Sequence, residues 1–145
     1  MDIRKPNDLE LKQVMSHSPQ AVFDGTLGAI KPTDKKIKQL VEPLLKKGGY
    51  YLIATENNQL MGWILIGSSR DEFTDKTSGY IYELFVIEEF RGNGISKRLM
   101  RAGIDQLKNK GYSEVRLSAY AGNHAIKLYE KLGFKIRKVS MSLPL

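Results

Sequence analysis

Apolar positions change their period several times along this chain. Asp2 to Lys5 forms a short candidate strand. Leu9, Leu11, Val14 and Met15 then recur at helical spacing behind Asn7 or Asp8, either of which can cap a helix. Pro19 through Pro32, with Gly25 and Gly28, reads as a long loop. A second helical stripe of Ile37, Leu40, Val41, Leu44 and Leu45 starts at Thr33 or Asp34 and ends at Gly48-Gly49. Pro43 falls inside that stripe, which predicts a kink or a break.

From Tyr50 the pattern turns to strands. Tyr50 to Thr55 and Leu60 to Ile66 flank the turn signal Asn57-Asn58 and predict an antiparallel hairpin. Ser68 to Ser78 is polar and reads as a loop. Tyr80 to Ile87 predicts a third strong strand, with Ile81, Glu83, Phe85 and Ile87 on one face. A helix from about Gly94 to Lys110 carries Ile95, Leu99, Gly103 and Leu107 on one side, and Gly111 ends it. Glu114 to Ala119 is a further strand. Asn123 to Leu132 is a further helix, and Phe134 to Leu143 reads as a last strand. The expected class is mixed α/β, a mostly antiparallel sheet with helices on both faces, in one domain over residues 1–145.

Composition narrows the function classes. The absence of cysteine excludes disulfides, thiolate metal sites and cysteine nucleophiles, and fits a cytoplasmic protein. With only His17 and His124, no metal is expected. The start lacks the apolar stretch of a signal peptide, and no apolar run approaches the ~20 residues that span a bilayer, so no membrane partner is expected. A net charge of +7 favours anionic partners. No stacking pattern of aromatic and basic residues runs through the lysines, which argues against nucleic acid as that partner.

The residues that carry chemistry lie where the third strand turns into a helix, Phe85-Val86-Ile87-Glu88-Glu89-Phe90-Arg91-Gly92-Asn93-Gly94-Ile95-Ser96. Glycines at 92 and 94 let the backbone approach a ligand closely. A helix opening there presents unpaired N–H groups with the positive end of its dipole behind them, which suits a pyrophosphate. Arg91, Lys97 and Arg98 add charge. On glycine content alone, a turn that merely starts a helix is an equal reading. The spacing matches neither the nucleotide-binding loop nor the dinucleotide fingerprint.

Arg91-Gly92-Asn93-Gly94-Ile95-Ser96 resembles the Arg/Gln-x-x-Gly-x-Gly/Ala motif of the GNAT superfamily of acyl-CoA N-acyltransferases, and Glu83-Leu84-Phe85-Val86 resembles that family's fourth strand. Asn123-His124-Ala125-Ile126-Lys127-Leu128-Tyr129-Glu130-Lys131-Leu132-Gly133-Phe134 is similar to its second signature, Asn-x-x-Ala-x-x-Leu-Tyr-x-x-x-Gly-Phe. The resemblance covers about Tyr50 to Phe134 and implies a GNAT-like fold with acetyl-CoA as co-substrate. It implies that Gly92, Asn93, Gly94, Ile95, Ser96 and Lys97 hold the CoA pyrophosphate, mainly by backbone N–H groups. The pantetheine arm is expected to pair with the backbone of Leu84, Phe85 and Val86, beside a splay between the fourth and fifth strands. Asn123 is expected to bond the arm, and Tyr129 to protonate the departing thiolate. The acceptor that the resemblance implies is a primary amine, small molecule or peptide, expected to attack directly in a ternary complex.

Each role has a plainer reading beside it. Tyr129 lies on the apolar stripe of its helix and serves equally as a packing residue. Asn123 serves as a helix cap. Glu83 is the candidate base because burial raises a carboxyl pKa, and the competing reading pairs it with an arginine or lysine. Tyr82, Tyr120 and Glu72 stand in reserve as bases. Asp24, Asp71, Glu72 and Asp75 either attract a cationic amine or are solvated loop residues. Ser96 departs from the motif's glycine or alanine. Only eleven residues follow Phe134, so the substrate-side wall is either open or completed by a second subunit in a homodimer. A catalytically inactive acyl-CoA-binding sensor or partner module is the alternative function.

Overall fold

A computed structural model describes the whole chain, residues 1–145. Its elements are β1 (Asp2–Arg4), α1 (Asp8–Gly25), α2 (Asp34–Lys46), β2 (Tyr50–Glu56), β3 (Gln59–Arg70), β4 (Thr77–Val86), a short 3-10 turn (Glu88–Phe90), α3 (Ile95–Asn109), β5 (Val115–Leu117) and α4 (Ala125–Lys131). The five strands form one sheet in the order β1-β2-β3-β4-β5. All neighbours are antiparallel except β4 and β5, which run parallel. No helix is long and apolar enough to cross a membrane.

The sheet carries a core on each face. Leu52, Ala54, Ile64, Ile66, Ile81 and Val86 pack against Ile95, Leu99, Met100 and Leu107 of α3. Tyr51, Ile53, Trp63, Leu65 and Phe85 pack against Val14 and Ala21 of α1 and Ile37 and Val41 of α2. The helical stripes read from the sequence are therefore the buried faces. Gly103 is needed where α3 crosses the sheet, because a Cβ there would lie 2.8 Å from Cδ1 of Ile64.

Four local expectations are corrected. First, the proline-glycine segment from Pro19 is helical through Gly25. Proline in a helix interior costs about 3 kcal/mol through a lost bond and a clash. Here the turns on both sides of it are held by packing, with Val14 and Ala21 buried and Val22 partly buried in the core that α1 and α2 share with the sheet. Second, α2 runs unbroken through Pro43, whose missing N–H lies on the solvent side of the helix.

Third, the polar stretch Ser68 to Ser78 is strand at both ends and a turn only between them, because β3 reaches Arg70 and β4 starts at Thr77. Asp71 closes the turn by accepting from the N–H groups of Phe73 and Thr74. Fourth, residues 134–143 form no strand. The potential partner β5 offers only three residues of edge. Ile136, Val139, Met141 and Leu143 stay exposed.

A bulge in β4 also changes which residues share a face. Leu65 pairs with Glu83 but Ile66 pairs with Ile81, so Tyr82 is the extra residue. Ile81 consequently faces α3, whereas Glu83 and Phe85 face α1 and α2.

Candidate active site

The site begins at the incomplete pairing of β4 with β5. Only Gly79, Tyr80 and Ile81 have β5 partners. The rest of β4, from Tyr82 to Val86, therefore has a free edge. Ile87 donates its N–H to Met61 O (2.9 Å), which makes Val86 and Gly62 a non-hydrogen-bonded pair. By the alternation of an antiparallel ladder, Val86 and Leu84 turn their backbone groups away from β3 and into the gap. Phe85 turns its own toward β3. Of the three residues expected to pair with an arm, two thus offer free backbone and Phe85 does not. The Val86 carbonyl already accepts from Nε of Arg91 at 2.9 Å.

The free edge leads into the glycine turn. Gly92 and Gly94 have φ of +83° and +75°, a region that favours glycine. A Cβ at either position would meet no atom of the chain, so internal packing does not require these glycines. Gly94 occupies the cap position of α3, and no side chain caps that helix end. The N–H groups of Ile95, Ser96 and Lys97 therefore lack intrahelical partners. The first turn of α3 holds no acidic residue, and Lys97 and Arg98 are exposed there. A cavity of about 250 Å³ is lined by Val86, Arg91, Gly92, Gly94, Ile95, Ser96, Lys97 and their neighbours, Leu128 of α4 among them. Asn93 points elsewhere, donating from Nδ2 to Phe90 O at 3.1 Å.

On the far side of the gap, α4 brings Tyr129 against the α3-side core with Leu84, Leu128 and Phe134. Burial raises the Tyr129 phenol pKa, which keeps it protonated and able to donate. Its ring meets Phe134 edge-on with centroids 6.1 Å apart. Asn123 lies one residue before the cap position of α4, His124, and accepts from Ala125 N–H at 2.9 Å, while its Nδ2 donates to Gly25 O at 3.3 Å.

Glu83 lies on the opposite face of the sheet from Tyr129. Burial pushes its carboxyl up to about 7, and a hydrogen bond from Nε1 of Trp63 (2.6 Å) pulls the other way. Its partner is thus an indole rather than the arginine or lysine of the competing reading. Trp63 in turn packs on Phe85, centroids 4.9 Å apart. Near them, the Tyr51 hydroxyl is buried without a hydrogen-bond partner in the chain, and its pKa is raised by burial and then by the Glu83 charge. Among the reserves, Tyr82 donates to Ser68 O at 2.6 Å, and Tyr120 and Glu72 are exposed.

Three of the four loop acids are engaged in ion pairs: Asp24 with Arg91, Asp71 with Arg116 and Asp75 with Arg70. Trp63, Leu128 and the Asp24–Arg91 pair were not singled out as site features by the sequence. Their placement depends on strand register and on the end of α1, which periodicity does not give. No group of acidic or histidine side chains is placed to hold a metal ion.

The splayed edge that runs into a glycine turn and a helix N-terminus is the arrangement that the resemblance to the acyl-CoA N-acyltransferases implies. The chain belongs to the acetyltransferase (GNAT) family, whose profile matches residues 20–134. It is 33% identical over 86 residues to N-alpha-acetyltransferase 30 of Schizosaccharomyces pombe, a match that takes in 59% of this chain and 57% of that protein. It is 33% identical over 110 residues to an N-alpha-acetyltransferase of Saccharolobus solfataricus, taking in 68% of this chain and 64% of that one. The chain thus spans less than two thirds of the length of either relative. Among solved structures, a predicted acetyltransferase of Clostridium acetobutylicum, solved with acetyl-CoA, has the same fold at a TM-score of 0.75 and 23% identity, over 99% of this chain and 95% of that one.

Proposed function

We propose that this chain is a cytoplasmic N-acetyltransferase that moves an acetyl group from acetyl-CoA to a primary amine. The observation that carries the reading is the continuous path from the free edge of β4 into the glycine turn and the uncapped start of α3. Leu84 and Val86 would bind the pantetheine arm as an added strand does. Backbone N–H groups from Gly92 to Lys97 would hold the pyrophosphate, with Asn93 shaping the turn. Asn123 would reach the arm with the Nδ2 hydrogen that its bond to Gly25 O leaves free.

The placement of Glu83 and Tyr129 on opposite faces supports direct attack. An alkyl amine is mostly protonated at neutral pH and must lose a proton before it attacks. A carboxyl with a pKa near 7 suits that task. The amine nitrogen bonds to the thioester carbon, and the Val86 N–H, facing the gap, can donate to the oxyanion. The C–S bond then breaks, and Tyr129 supplies a proton or hydrogen bond to the thiolate.

The relatives' names support an α-amino group as the acceptor. The test is thiol release from acetyl-CoA with a panel of amines: a peptide with a free α-amino group, an N-blocked lysine peptide, spermidine and an aminoglycoside. Release with the first and not the second supports the α-amine assignment. Release with none of the panel, despite acetyl-CoA binding, would leave an acyl-CoA-binding module and overturn the enzyme reading.

A further inference from the structure

The last residues of α1 lie across the mouth of the gap and are tied to both of its walls. From the β4 side, Arg91 places Nη2 2.9 Å from Oδ2 of Asp24, while its Nε holds Val86 O and its guanidinium lies 5.3 Å from the Phe85 ring centroid. From the β5–α4 side, Asn123 donates to the carbonyl of the next residue, Gly25. The loop that follows is folded back on α1. Thr26 N bonds Val22 O, Gly28 N bonds Phe23 O at 2.7 Å, and Ile30 N bonds Oγ1 of Thr26.

An exposed ion pair contributes little to folding. The Asp24–Arg91 pair has a different consequence, because Arg91 is held from three sides and also begins the glycine turn. Anything that orders the turn orders Arg91, and Arg91 grips the residue from which the loop springs. We propose that Asp24 is a positioning residue that, through Arg91, couples occupancy of the glycine turn to the order of the loop from Thr26 to Thr33. This inference rests on the acetyl-CoA reading above. Linkage makes the coupling reciprocal, so an amine that orders the loop tightens acetyl-CoA binding by the same factor.

Hydrogen exchange on the full chain, with and without saturating acetyl-CoA, tests it. The hydrogen-bonded amides of Thr26, Leu27, Gly28 and Ala29 are the reporters. In the unaltered protein acetyl-CoA should slow their exchange about tenfold, together with that of Gly92 to Lys97. In Asp24→Asn the slowing at Gly92 to Lys97 should persist and that at the loop should fall below twofold, and Asp24→Glu should restore it. A loop that slows equally in Asp24→Asn, or that does not slow in the unaltered protein while calorimetry shows acetyl-CoA bound, overturns the coupling alone. No calorimetric binding in the unaltered protein overturns the acetyl-CoA reading and the coupling with it.

Discussion

Trp63 donates its indole N–H to Oε1 of Glu83 over 2.6 Å, on a diagonal between neighbouring strands: Trp63 stands opposite Phe85, and Glu83 opposite Leu65. The bulge at Tyr82 sends Ile81 to the other face, and ordinary alternation along β4 puts Glu83 on the face of Phe85 and Trp63. A carboxyl otherwise expelled by burial is held there with a single strong donor.

Glu83→Gln keeps an acceptor for the indole and removes the titration. The rate should fall about 100-fold in kcat/KM, the scale of general-base catalysis. Its acid limb, expected near pH 7, should disappear from the pH profile. Stability should move the other way. A carboxyl whose folded pKa of about 7 lies above its unfolded value of 4.5 favours the folded state when protonated, so stability falls as pH rises between those values. The variant should lose that slope and gain on the order of 2 kcal/mol at pH 8, read by urea denaturation at pH 4 and pH 8.

Trp63→Phe removes the donor that favours ionised Glu83. The acid limb should move to higher pH by about half a unit to one unit. Stability should fall by about 1–3 kcal/mol, because Trp63 is fully buried and a smaller ring leaves a gap. An unmoved acid limb would detach Glu83 from the profile.

Tyr129→Phe leaves the ring packing on Phe134 and removes the hydroxyl. Turnover should drop at least tenfold while acetyl-CoA affinity changes less than threefold, seen by comparing initial rates with calorimetry. Equal turnover would return Tyr129 to a purely packing role.

Gly94→Ala meets no atom of the chain, so its effect isolates backbone conformation. Forcing alanine to a φ of +75° costs about 1–2 kcal/mol. Melting temperature should fall by a few degrees and the acetyl-CoA Kd should rise at least fivefold. A stability loss with unchanged affinity would make the turn a helix start and nothing more.

The sequence exposed those parts of the fold that depend on local period. The stripe Ile95, Leu99, Gly103 and Leu107 is the buried side of α3, and the hairpin at Asn57-Asn58 is where β2 meets β3. The glycine turn was legible too, because positive φ and an uncapped helix start write themselves in residue type. What stayed hidden depends on partners distant in sequence. α1 survives Pro19 because Ala21 finds the sheet, and the tail after Phe134 fails as a strand because β5 is too short to receive it. Glu83 was readable as a candidate base on the face of Phe85, but its indole partner depends on the β3–β4 register, and the departure of Ile81 from that face follows from a bulge that strict alternation cannot reveal.

Calorimetric titration of the folded protein with acetyl-CoA tests the central claim most directly. The free edge of β4 and the glycine turn predict saturable one-to-one binding in the micromolar range or tighter, weakened in Gly94→Ala. An absence of binding heat at several temperatures, with the protein folded throughout, would contradict the account.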